Sequence, residues 1–195
     1  KDARIVNVFT EEIIRGDIAI QDGIIAGIGS FHGKEERDLA GRYVCPGFID
    51  SHLHLESTLV TPAELVTAAS RHGTTTFIVD PHESANVSGL AGIDYILDQT
   101  EDVKANVYVM MPSCVPATAI DDNGCTLTAE DMVPYLHNSR ILGLGEVMDS
   151  ISVVQGEKSM HDKLELFEGR IRDGHAPFLE EGDLQAYAMA GIATD

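Results

Sequence analysis

From position 46 onward the chain repeats one pattern, a short apolar run of β-forming residues followed by a helical stretch, with a period of about 30 residues. The apolar runs are Phe48-Ile49, then 75–79, 106–110, 141–144, a run around Ile171, and 191–193. Helical patterns lie between them at 62–71, 89–99, 128–136 and 160–168. Thr61 and Thr128 stand where helix N-caps belong, and Pro62 occupies a first helical position, where proline is tolerated. Strands and helices alternating in this way predict a parallel α/β architecture.

Reactive residues collect where the strands end. In chain order they are His52 and His54, then Asp80, His82 and Glu83, then Ser113 and Cys114, then Glu146, His175 and Asp195. In a barrel of parallel strands these ends form one mouth, where catalytic groups from several strands meet. A doubly wound sheet would place its ligand at a switch point beside a Gly-rich phosphate turn. Gly27-Ile28-Gly29 matches such a turn weakly and lies ahead of the alternating region. The expected fold is therefore an α/β (β/α)8 TIM-type barrel, with about six of its strands present. Closed barrels of this kind run to about 250 residues, so this chain of 195 is expected to be part of a longer protein.

The first 45 residues have a different texture. Short β-type runs occur at 3–9, 17–20, 24–28 and 38–44, and Asp22-Gly23 between the second and third is a hairpin signal. The expected division is a small all-β, sandwich-like module over 1–45 and the beginning of the barrel over 46–195.

Pro46-Gly47 breaks the chain just before Phe48-Ile49, and the run leads into His52 and His54. Side chains alternate faces along a strand, so these two histidines point the same way and Leu53 the other. Two neutral imidazoles on one face can grip a divalent metal. A bare H-x-H also occurs as a pair of polar loop residues. The strand-end pattern that follows favours the metal.

Composition narrows the classes. Lys and Arg number 13 against 32 Asp and Glu, a net charge of −19 that disfavours nucleic acid. The cysteines Cys45, Cys114 and Cys125 are odd in number with no C-x-x-C spacing, which fits neither a disulfide framework nor a cysteine zinc site. No apolar run approaches the roughly 18 residues of a membrane span, and no signal peptide opens the chain. A cytoplasmic, soluble protein with no membrane partner is expected. Zinc deaminases of the cytidine type carry H-x-E and then P-C-x-x-C. His54-Leu55-Glu56 fits the first half, but Cys114 is followed by Val115-Pro116-Ala117 with no second cysteine, so that class is excluded.

Five blocks, at 51–57, 79–87, 112–118, 143–148 and 173–177, closely resemble the bacterial adenine deaminase family of the amidohydrolase superfamily. The resemblance implies hydrolysis of adenine to hypoxanthine and ammonia at a two-metal centre, through a metal-bound hydroxide, with manganese or iron as the usual ions and zinc as a further possibility. It implies His52 and His54 as ligands of the more buried metal, Glu146 as a bridge between the ions, and His175 as a ligand of the second. A further histidine and a strand-eight aspartate of the family pattern fall beyond these 195 residues. Glu83 is the candidate for hydrogen-bonding the purine or shuttling a proton, with His82 supporting it. Glu56 and Ser57 are expected to orient the histidine pair, and Cys114 to line a wall. The expected partner is a small purine in salvage or adenine catabolism, and the expected assembly a homodimer or higher homo-oligomer. Another amidohydrolase reaction, on a cyclic amide or an N-acyl amino acid, and a non-catalytic role remain open alternatives.

Overall fold

A computed structural model describes residues 1–118 and 120–194. The chain divides into two compact units, Lys1–Gly47 and a second from Phe48 onward.

The first unit is a single sheet. Its strands are β1 (Ala3–Asn7), β2 (Glu12–Gln21), β3 (Ile24–Gly29) and β4 (Tyr43–Val44), ordered β3-β2-β1-β4. The expected sandwich is not found: these strands make one layer. Ala3 and Ile5 of β1 are its buried hydrophobics, while Ile13, Ile20, Ile24, Ile25 and Ile28 of β2 and β3 are exposed. β2 begins at Glu12, ahead of the expected 17, because Ile13 and Ile14 pair with Val6 and Ile5 of β1. The β2–β3 turn is Asp22-Gly23, with φ of 52° and 77°. Positive φ at both central residues is the turn that matches the twist of a hairpin, and glycine adopts it without strain.

The second unit holds five parallel strands: β5 (Phe48–Leu53), β6 (Thr74–Val79), β7 (Asn106–Met111), β8 (Ile141–Val147) and β9 (Ile171–Gly174). Their order in space is their order in sequence. Each strand lies beside its predecessor, as in a barrel, with none of the reversal of a doubly wound sheet. The result is a mixed α/β unit with a curled, parallel half-barrel sheet. The sixth expected strand, at 191–193, is not formed. Thr194 alone bridges to Asp173 of β9, and Asp195 lies outside the described residues.

The helices are α1 (Pro62–Ser70), α2 (His82–Ser88), α3 (Leu90–Gln99), α4 (Ala129–Met132), α5 (Ser150–Gln155), α6 (Lys158–Leu166) and α7 (Glu181–Met189). Thr61 holds the N-cap position of α1 but its hydroxyl makes no capping bond. Thr128 does cap α4, in a reciprocal box with Asp131. The helix expected at 128–136 tightens to a 3-10 turn over Val133–His137, where Pro134 has no N–H to give. α2, α5 and α7 were not legible as helices. α2 and α5, of 7 and 6 residues, are too short to show a helical period, and α7 buries only Tyr187.

Phe77 and Val79 of β6, Val107, Val109 and Met111 of β7, and Ile141 and Leu144 of β8 form one core with Val66, Ile93, Ile96, Met132 and Leu164 from the helices. Burying each such side chain contributes about 1.5–3 kcal/mol. That core fixes the strands, and so the spacing of the polar residues at their ends. Among the described residues no helix is long and apolar enough to cross a membrane.

Candidate metal centre

Four strand ends converge on Glu146, which is 7% exposed at the end of β8. One carboxylate oxygen, Oε1, lies 3.3 Å from His52 Nε2 and 3.6 Å from His175 Nδ1. The other, Oε2, lies 3.4 Å from His54 Nε2 and 3.2 Å from His82 Nδ1. His52 near the end of β5 and His54 just past it present their Nε2 atoms to each other at 3.2 Å.

The partners of the histidines decide what those nitrogens can do. His54 Nδ1 is 3.0 Å from the carbonyl oxygen of Asp80, which can only accept, so Nδ1 carries the proton. His52 Nδ1 is 3.2 Å from Asp173 Oδ2 and is protonated for the same reason. In the neutral rings both Nε2 atoms then present lone pairs, facing each other and a carboxylate. Such an arrangement repels itself unless a cation stands among the atoms. A second orphaned pair adjoins it. Asp80 Oδ1 and His82 Nδ1 are buried without a hydrogen-bond partner, although they are only 3.4 Å apart. The ligand atoms of His52, His54 and Glu146, and those of Asp80, His82 and Glu146, each lie within 4.8 Å of one another. Nitrogen and oxygen donors in this mixture suit a divalent transition metal.

Burial works to lower the pKa of His82, but the carboxylates of Asp80, Glu146 and Glu56 outweigh it and leave the imidazole above its ordinary range. Glu56 is itself pushed up by burial.

The main chain of Glu146 is held by side chains. Its N–H donates to Asp80 Oδ2 at 2.8 Å, and its carbonyl accepts from Ser113 Oγ at 2.6 Å. The β8–β9 register shifts between Leu144 and Val147, so the segment carrying Glu146 departs from the regular ladder. Gly145 is required there, because a Cβ on it would collide with Asp80 Oδ2.

Of the residues read from the sequence, His52, His54, Glu146 and His175 meet at one point. His82 joins them, closer to Glu146 than a purely supporting role requires. Glu83 and His82 open α2 and do not lie in a loop. Side-chain hydrogen bonds of Glu56 and Ser57 run to α2, whereas an orienting role toward the histidine pair was expected. Glu56 Oε1 accepts from the backbone N–H of Glu83 and Ser84, at 3.1 and 3.2 Å, and Ser57 Oγ donates to Glu83 Oε2 at 2.5 Å. Leu55 and Glu56 enter a 3-10 turn after β5, which carries their side chains toward α2. The histidine pair is oriented by Asp80 and Asp173, whose roles the sequence did not reveal. Asp173 is on β9, two residues before His175, which follows the strand, so strand-end spacing could have pointed to it. Cys114 is buried, and burial raises its thiol pKa, which fits a wall residue.

Residues 43–195 match the Amidohydrolase family. The chain belongs to the amidohydrolase family. An adenine deaminase from Desulfitobacterium hafniense (strain Y51) is 60% identical over 195 residues, covering 100% of this chain and 34% of that protein. One from Clostridium acetobutylicum is 49% identical over 197 residues, covering 35% of its own length. This amidohydrolase chain therefore spans about a third of the length of the curated relatives it matches. A crystal structure of 5-methylcytosine deaminase from Klebsiella pneumoniae liganded with 5-fluorocytosine superposes with a TM-score of 0.52 at 16% identity, over 97% of this chain and 54% of that one. That likeness supports the fold.

Proposed function

We propose that this amidohydrolase removes the amino group of adenine by hydrolysis, giving hypoxanthine and ammonia at a binuclear divalent metal centre of manganese or iron. The observation that carries the reading is Glu146, whose two oxygens each face two imidazoles. A carboxylate so placed can span two cations. His52, His54 and Glu146 would hold one ion, and Glu146 with His175 the other. A bound divalent cation supplies a water acidified from pKa 15.7 toward about 7.

The protein's own residues do the rest. Asp80 and Asp173 hold the Nδ1 sides of the two imidazoles, so that Nε2 is the nitrogen each ring turns toward a cation. Glu83, held by Ser57 and positioned at the start of α2, moves a proton from the attacking water toward the departing amine. The oxygen of water joins the amidine carbon of the purine, the C–N bond to the exocyclic amine breaks, and ammonia leaves with the transferred proton. Residues 46–195 are then the first part of the hydrolase barrel and 1–45 an accessory β module. Relatives named adenine deaminase at 60% and 49% identity support the purine over other amides.

The test is metal analysis of the full-length protein alongside turnover of adenine, cytosine, a cyclic amide and an N-acyl amino acid. Two equivalents of metal and ammonia release from adenine are expected. Hydrolysis of the cyclic amide with no ammonia from adenine would replace this reading by its rival.

A further inference from the structure

Lys163 is 8% exposed on α6, between Met160 and Leu164, which are also buried. A buried ammonium is costly to desolvate, and that cost is repaid only with good partners. Its hydrogen bond goes to a neutral group, the carbonyl oxygen of Ser113, at 2.7 Å. The nearby acids are committed elsewhere. Asp149 accepts from the N–H and hydroxyl of Ser152 at the start of α5, and Asp131 accepts from Thr128 in the capping box of α4. A leucine or methionine at 163 would pack in this core with less penalty. What the lysine provides is therefore position.

The bond that Lys163 makes continues inward. Ser113 is 1% exposed, just past β7, and the same residue that accepts from Lys163 donates its hydroxyl to the carbonyl of Glu146 at 2.6 Å. That carbonyl also accepts from Met148 N–H at 2.9 Å, while Asp80 holds the N–H of Glu146 on its other side. Glu146 stands where the β8–β9 register shifts, so these side-chain bonds take over from the regular ladder in setting its main chain.

We propose that Lys163 and Ser113 are positioning residues for the metal centre, a buried strut from α6 through the end of β7 to the backbone of Glu146. The proposal rests on Glu146 serving as a metal ligand. Groups that orient metal ligands from behind typically change metal affinity by about 10–100-fold when removed. Lys163 also lines a cavity of about 500 Å³ with Asp149, Met160 and Leu127. Water there can serve the remaining ammonium donors, so the strut needs no ion pair to persist.

The experiment uses the full-length protein and manganese alone as the probe. Metal dissociation is measured for the parent, Lys163→Met, Ser113→Ala and the double variant, well below the unfolding temperature of each, together with that temperature. Lys163→Met is expected to keep or raise the unfolding temperature yet bind manganese about 10-fold more weakly. Ser113→Ala should weaken binding by at least as much, and the double variant no more than the weaker-binding single. Lys163→Gln, which keeps a donor, should recover part of the affinity, and Lys163→Leu supplies the lysine measurement if the methionine variant does not fold. Parental affinity in folded Lys163→Met, Lys163→Leu or Ser113→Ala overturns the strut, as do additive losses in the double variant. A parent protein that holds no divalent metal overturns the metal centre itself, a result distinct from either.

Discussion

Two carboxylate sites in this molecule have opposite characters. Asp17, in the first unit, is surrounded by donors: Lys1 Nζ at 2.8 Å and the backbone N–H groups of Asp2 and Phe31 at 3.0 and 3.2 Å. The Lys1 ammonium, followed by those two amides, holds its carboxyl well below the usual carboxylate range. Glu146, in the second unit, instead faces imidazole nitrogens, two of which present lone pairs in the neutral rings, and the neighbouring Asp80 Oδ1 faces another, His82 Nδ1, at 3.4 Å. A carboxylate saturated by donors is part of the scaffold. One set among other lone pairs needs a cation to complete it, and that difference separates an ion pair from a metal site among 32 acidic residues.

Removing an imidazole from the mouth should break the contrast most completely. His52→Ala or His54→Ala in the full-length protein is expected to abolish turnover and to deplete bound metal, read by elemental analysis and ammonia release. Full metal content with full activity in either variant would make the histidine pair an ordinary polar contact.

Glu146→Gln keeps the shape of the side chain and loses its charge. On dialysis against a chelator, one equivalent of metal should leave well before the other. Two equivalents retained with normal turnover would place Glu146 in the same class as Asp17.

Gly145→Ala drives a methyl group into the Asp80 carboxylate behind Glu146. Overpacking of this kind costs about 1–3 kcal/mol, measurable by urea unfolding, and metal affinity should fall with it. An alanine variant as stable as the parent would show that Asp80 can move aside.

The smallest effect belongs to Asp17→Asn, which should leave metal content untouched. Because the folded pKa of Asp17 is lowered, its stabilisation is fully present above the unfolded value of about 3.9 and is lost as pH falls from there through the folded value. Hydrogen exchange over residues 1–47 should therefore be faster in the variant than in the parent near neutral pH, with the gap closing in strong acid. A gap that widened in acid would reverse the assignment.

The sequence showed its periodic features well and its single contacts poorly. The parallel α/β unit was legible because β6, β7 and β8 are separated by helical stretches at a steady interval and buried on a regular pattern. The hairpin at Asp22-Gly23 was legible because its backbone demands those residue types. Whether four short strands form one layer or two was not legible in their sequence, because such strands look alike in either case, and the described residues form one sheet. α2 was not legible because seven residues leave no period to detect, and so His82 was given a supporting place when it stands at 3.2 Å from Glu146.

By itself the sequence determined that His52 and His54 share a face and that Glu146 and His175 stand at strand ends, since alternation and strand placement are local properties. Only the tertiary structure decided which groups hold them. Asp173 reaches His52 across 121 positions, Ser113 reaches Glu146 across 33, and Lys163 reaches Ser113 across 50. No local preference encodes such pairs; they exist because a packed core brings the ends of separate strands to one place.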